Sequence, residues 1–215
     1  MNFTKVVVVL IVLVVASIIV YSFFSTEQSD AKYVEEVQVE RMEKDDFMKN
    51  SDGSPFGEFR DTFTGLKYFP ITLGYRVTAQ IEPIKNKQVR TIATSTNEQK
   101  NYLEYAWAHF EVEGVKCKLL LLEVMDSGPL RGTLFVAFTD QTSAVDTYGA
   151  GRYIDLKKQP GAGTLTIDFN KAYNPYCAYK GGYTCPIPPK ENHLKIAIQA
   201  GEKLFDDQHA KRRSK

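Results

Sequence analysis

An excess of charge of either sign is missing: 27 Lys and Arg stand against 26 Asp and Glu, a net +1. Without a basic surplus there is no electrostatic footprint for nucleic acid, and none is expected as a partner. The chain lacks a Walker-type phosphate loop, a nucleophile elbow and a paired-histidine zinc motif, so none of those chemistries can be read from it. It has no internal repeat and no alternation of strand and helix, which excludes a parallel sheet. Cysteines number three, and Cys177 and Cys185 are eight positions apart, whereas zinc sites pair cysteines about two to four apart. Nothing in the sequence identifies a cofactor.

With 215 residues, 43% hydrophobic and 25% charged, the chain fits one globular domain plus extra segments. Residues 6–24, VVVVLIVLVVASIIVYSFF, hold no charge over nineteen positions. At about 1.5 Å per residue, a helix of that length spans a hydrocarbon core. Tyr21, Phe23 and Phe24 stand where a signal peptide would carry small residues for cleavage, and no cysteine near the end of the segment offers a lipid site. The segment therefore reads as an uncleaved anchor whose partner is the membrane. Lys5 before it and Glu27 and Asp30 after it place the N-terminus in the cytoplasm and the rest in the periplasm or outside the cell. The expected organisation is a cytoplasmic stub (1–5), a transmembrane anchor (6–24), a polar tether (25–33), one β-rich domain (34–205) and a mobile basic tail (206–215). Residues 34–49 read as an amphipathic helix with Val34, Val37 and Arg41 on one stripe, stopped by Ser51, Asp52, Gly53 and Pro55.

Strand signals follow in series. In 71–81, Ile71, Leu73, Tyr75, Val77, Ala79 and Ile81 alternate on one face, with 89–94 as the expected partner. Residues 102–112 and 115–125 flank Glu113-Gly114, a two-residue hairpin turn. That register puts His109 on a face with Tyr105 and Trp107, as a packed residue rather than a catalyst. Residues 133–140, 151–156 and 164–169 complete the series. The fold class is mainly β: an antiparallel sheet curled into a barrel or sandwich, behind an amphipathic helix and the transmembrane helix.

The residues that packing does not call for are concentrated between Leu165 and Glu202, an irregular stretch rich in Asn, Pro and Tyr. Asp168, Asn170, Asn174, Tyr176, Glu191 and Asn192, with Tyr148 and Arg152 from the preceding loop, form the candidate ligand-binding set. Asp168 and Glu191 are the candidate general bases and Arg152 the candidate anion stabiliser. The loop 140–152, with Asp140, Thr142, Ser143 and Thr147 near Arg152, either holds a polar ligand or satisfies the backbone of its own wide turn. Cys177 and Cys185 admit three readings: a disulfide, two packed thiols, or, with His193, three ligands of a metal site.

The blocks TFTGLKYFPI (62–71), FTDQTSAVDTYGAGRYIDL (138–156), DFNKAYNPYCAY, CPIPPKENHL and IQAGE resemble the bacterial and archaeal family called domain of unknown function 1684, over about 39–203. The resemblance implies one mostly β family domain behind an anchor, with no assigned reaction. It also implies that the cysteine pair can serve packing or binding, because members that look cytosolic carry a similar pair. Three functions are carried forward. The first is an anchored module that binds a small molecule or glycan; the others are a structural envelope protein without a ligand site and a hydrolase.

Overall fold

The structure, a computed structural model, describes residues 3–126 and 128–205, and within the N-terminal helix the side chains of 11–18 and of 28 onward. The chain divides into two units, Met1–Glu43 and Lys44–Lys215. Helix α1, Phe3–Asn50, runs through the expected tether at 25–33 without a break. Neither Gly nor Pro interrupts that stretch, and Glu27, Gln28, Ala31 and Lys32 are good helix formers. Among the described residues no helix is long and apolar enough to cross a membrane. The anchor expected at 6–24 falls partly on side chains outside that description, as the basic tail at 206–215 does entirely.

The second unit is built on β1 (Arg76–Pro83), β2 (Val89–Ala93), β3 (Gln99–Val112), β4 (Val115–Val124), β5 (Leu134–Phe138), β6 (Arg152–Leu156) and β7 (Thr164–Asp168). All seven form one antiparallel sheet in the order β6-β5-β4-β3-β1-β7, with β2 also on β3. The sheet curls as a half-barrel, so the sandwich alternative is set aside. Glu113 and Gly114 both have positive φ, 49° and 77°, the geometry that joins two twisted strands by two residues.

Two details depart from the sequence reading. Strand β2 pairs with the first half of β3, Val89 opposite Leu103, and not with β1; β1 takes the second half of β3, Gln80 opposite His109. At fourteen residues β3 is long enough to serve both. A bulge between Glu104 and Ala106 reverses the parity of β3. Tyr105 consequently packs on the cluster of Val77, Phe110 and Leu121, and Trp107 on that of Tyr102, Leu120 and Phe135. His109 does not share a face with both; it is exposed, with Nε2 2.7 Å from Glu82.

The concave face is filled by the C-terminal segment. Leu194, Ile196, Ile198 and Ala200 are buried while Lys195 and Gln199 are exposed, a period of two that packs into the cluster of Ala79, Leu119, Val136 and Ile167. The two sheet edges are joined through Tyr173, just beyond β7, whose backbone pairs with Tyr153 of β6. At Gly201, φ is 74° and a Cβ would lie 2.6 Å from the carbonyl oxygens of both Phe169 and Ala172. Glycine is the residue that lets the C-terminal segment turn against that backbone.

Candidate functional site

The polar residues singled out by sequence lie where irregular chain crosses the half-barrel. An extended segment that is not a strand leaves its carbonyls without ladder partners, and buried carbonyls need donors. Arg152, 1% exposed, supplies them. Its Nη1 donates to Ala200 O and, at 3.4 Å, to Glu202 O, and its Nη2 donates to Ile198 O at 2.9 Å. Nη2 also meets Asp140 Oδ2 at 2.9 Å, an ion pair with both side chains 1% exposed. Burial lowers the Arg152 pKa, and the Asp140 carboxylate beside it pulls it back up. Asp140 Oδ1 in turn accepts from the Thr142 amide and hydroxyl and from the Ile198 amide, and the Thr142 and Thr147 hydroxyls are 2.9 Å apart. The loop 140–152 thus spends its hydroxyls and carboxylate on its own turn and on the crossing segment.

Two asparagines act in the same way. Strands β4 and β5 pair only at Leu122–Phe135 and Glu123–Leu134. Where they part, Asn192 enters: its Oδ1 accepts from Leu120 N at 2.7 Å, and its Nδ2 donates to Leu120 O and Ala137 O at 3.0 and 2.9 Å. A side-chain amide carries the same donor and acceptor as a peptide, so Asn192 replaces a missing residue of strand. Asn170 does the same for Thr72, accepting from its amide at 3.0 Å and donating to its carbonyl at 2.9 Å. Asp168, 8% exposed, caps the short helical turn Phe169–Lys171 by accepting from the Asn170 amide at 3.0 Å.

Asn174 belongs to a different cluster, centred on Glu202, whose side chain is fully buried. Glu202 Oε2 receives Lys44 Nζ at 2.8 Å and the Asn174 amide at 3.2 Å; Oε1 receives Asn174 Nδ2 at 2.9 Å and the Tyr179 hydroxyl. Burial and the adjacent carboxylate push the Tyr179 phenol well above its ordinary value. Asp45 stands near, with its pKa raised by burial, lowered by the Leu66 amide on Oδ1 and raised by Glu202. Lys44 lies 4.8 Å from the centre of the Tyr173 ring, and the Tyr173 hydroxyl donates to Asp155 at 2.7 Å. The sequence reading missed this cluster. Glu202 was visible only as the last letter of IQAGE, and Lys44, 158 positions away, as one more charge on a helix.

Of the remaining candidates, Glu191 and His193 are exposed. Glu191 Oε1 takes both terminal nitrogens of Arg90 at 2.9 and 3.0 Å, while Arg90 Nε bonds Glu104 at 2.9 Å. Hydrogen bonds to the carboxylate, from backbone and from Arg90, lower the Glu191 pKa, and Lys118 contributes further. Lys118 lies 4.7 Å over the Trp107 ring. Tyr148 and Tyr176 are half-buried. Cys177 and Cys185 are joined in a disulfide, which leaves no thiolate for a metal. His193 Nδ1 faces the Thr139 hydroxyl at 3.0 Å, and no group of His, Cys, Asp and Glu among the described residues could hold a metal ion. The bonded loop is pinned to the β2–β3 turn, with Ser95 Oγ accepting from the Cys185 amide at 3.0 Å and donating to Tyr183 O at 2.8 Å. Replacing both cysteines by serine is expected to cost about 2–3 kcal/mol in denaturant unfolding, the loop-closure entropy of a short bridge. A recess of about 240 Å³ lined by Leu103, Glu123, Val124, Met125, Arg131 and Gly132 contains none of the sequence-derived candidates.

No curated protein matches this chain. The solution NMR structure of an uncharacterized protein of Haloarcula marismortui is similar at 32% identity and a TM-score of 0.64, over 85% of this chain and 99% of that one. Residues 61–203, more than half of the chain, match the family described as "Protein of unknown function (DUF1684)", and the chain belongs to that family.

Proposed function

We propose that the protein is a single-pass, membrane-anchored component of the cell envelope, with its N-terminus cytoplasmic, its β domain periplasmic or extracellular, and a structural role. The observation that carries the structural reading is the use to which the polar block is put. The four terminal N–H groups of Arg152 and the side chains of Asn170, Asn192 and Glu202 are engaged by backbone or buried partners. A ligand would have to break those bonds, each worth more in a buried site than at the surface. The hydrolase reading has the least support, since Arg152 keeps no terminal N–H for developing charge and Asp168 caps a turn.

The anchor is supported by Ile11, Val12, Leu13, Val14, Val15 and Ile18, which stand 49–60% exposed on α1. Leaving such side chains in water forgoes about 1.5–3 kcal/mol each, which a bilayer would recover. The amphipathic stretch 34–49 would follow the anchor on the outer side. The Cys177–Cys185 bridge suits an oxidising compartment. In the test, intact cells are treated with a membrane-impermeant amine label, followed by fractionation. The full chain is expected in the membrane fraction, labelled without lysis. A soluble protein, or one labelled only after lysis, would refute anchor or orientation respectively.

Binding of a small molecule or glycan is the second reading, favoured by one partly exposed constellation: Arg90 pairs with Glu191 and Glu104, and Lys118 lies over the Trp107 ring. A glycan array that bound the wild-type protein and not Glu191→Ala, at equal thermal stability, would put this reading ahead of the structural one.

A further inference from the structure

We propose that Lys44 and Asn174 become joined by an intramolecular isopeptide bond, with Glu202 carrying the proton between them. The two groups sit on the two oxygens of one carboxylate: Lys44 Nζ is 2.8 Å from Oε2 and Asn174 Nδ2 is 2.9 Å from Oε1. The Glu202 side chain is fully buried, Asn174 is 1% exposed, and the Tyr173 ring faces the lysine. Partial exclusion of water keeps water from competing with the amine for the amide. The Asn174 amide is oriented by its second donation, to Lys203 O at 2.8 Å, and its Oδ1 is buried without a hydrogen-bond partner. The fold therefore uses the nitrogen of this amide and leaves its carbonyl unengaged.

The step balances without an added reagent. Glu202 Oε2 takes a proton from the Lys44 ammonium, and the freed electron pair of Nζ attacks Asn174 Cγ. The tetrahedral centre collapses as the Cγ–Nδ2 bond breaks, and the leaving nitrogen takes its proton from the Glu202 carboxyl. The second proton released by Nζ goes to the departing ammonia, so the products are a secondary amide, ammonium and the carboxylate restored. No atom is oxidised or reduced.

Pro175 makes this position suited to such chemistry. Asparagine ordinarily loses ammonia when the next backbone nitrogen attacks its side chain, and proline has no N–H to do so. The amide is thus protected from the common route, and loss of ammonia at Asn174 points to a side-chain nucleophile. The bond would tie the end of α1 to the segment after β7, which fits the structural reading but depends on neither the anchor nor its orientation.

The test is the mass of the full chain, purified in detergent, reduced and denatured, followed by tryptic mapping. The wild-type chain is expected to weigh less than its sequence by one ammonia and to give a branched peptide containing Lys44 and Asn174. Lys44→Arg keeps the cation but is a far poorer nucleophile, and should restore the full mass. Glu202→Gln, where it folds, should also restore it. A wild-type chain of full sequence mass overturns the proposal. So does an ammonia loss that persists in Lys44→Arg or maps elsewhere. The chain's location in the cell affects none of these readouts, so failure here and failure of the envelope reading are separable.

Discussion

Arg152→Met is expected to destabilise the domain by about 3–5 kcal/mol, enough to unfold much of it at ordinary temperature. The substitution keeps the unbranched apolar stem and removes the guanidinium. Asp140, with its side chain 1% exposed, would be left as a buried carboxylate without its cation. Three carbonyls of the C-terminal segment, at 198, 200 and 202, would lose their donor at the same time. Leu194, Ile196, Ile198 and Ala200 depend on that segment for their place in the core, so the loss reaches the largest apolar cluster. Asp140→Asn should also destabilise, because it leaves the cation buried alone. The double variant is expected to cost less than the sum of the singles, by about 0.5–3 kcal/mol, since each single change includes the penalty of an orphaned partner. Urea unfolding of the four proteins measures the cycle. An Arg152→Met midpoint close to that of the wild type would mean that the crossing segment is held by its apolar side chains alone, and that Arg152 is free to serve a ligand after all.

The same residues show how far the sequence could be read. The β3–β4 hairpin was legible because both signals that define it are local: alternation along each strand and Glu113-Gly114 between them. The bulge at Glu104–Ala106 was not, since its cause is that one strand must pair with β1 on one half and β2 on the other, a demand set by distant chain. The stretch 165–202 stood out for polar groups that hydrophobic packing does not call for, and in the fold they are spent on buried backbone and side-chain partners. Their use was illegible because the partners lie far off: Asn170 with Thr72, Asn192 with Leu120 and Ala137, Glu202 with Lys44. An asparagine that completes a sheet and one that binds a ligand are the same letter; only the nearby peptide group distinguishes them. The family, by contrast, was legible from contiguous blocks, which need no tertiary knowledge.

Above pH 10 the domain is expected to unfold in a steep, cooperative alkaline transition governed by buried tyrosines. Tyr102, Phe135, Tyr153 and Tyr173 form a run of ring contacts with centroids 4.8–5.8 Å apart. Tyr102 and Tyr153 are each 5% exposed. Burial, with the carboxylates of Asp126 and Asp155 adding to it, pushes the Tyr102 phenol up to about 12. Burial pushes Tyr153 and Tyr173 higher still, with neighbouring phenols adding for Tyr153 and Asp155 for Tyr173. The sign follows from linkage: an unfolded tyrosine ionises near pH 10, whereas the folded ones hold their protons. Their contribution is fully present below about pH 10 and lost as pH rises through the folded values. Each protected phenol adds a slope of about 1.4 kcal/mol per pH unit, so three of them remove about 8 kcal/mol by two units above the unfolded pKa. That is comparable to the whole stability of a domain this size. Circular dichroism and tyrosinate absorbance, followed together, test it. Tyr102, Tyr153 and Tyr173 should ionise only as the dichroism collapses. Tyr102→Phe should make the transition shallower by one proton and move it to higher pH. If tyrosinate absorbance climbed to completion through pH 12 with the dichroism intact, the aromatic run would have to be open to water, and burial would not be what keeps these phenols protonated.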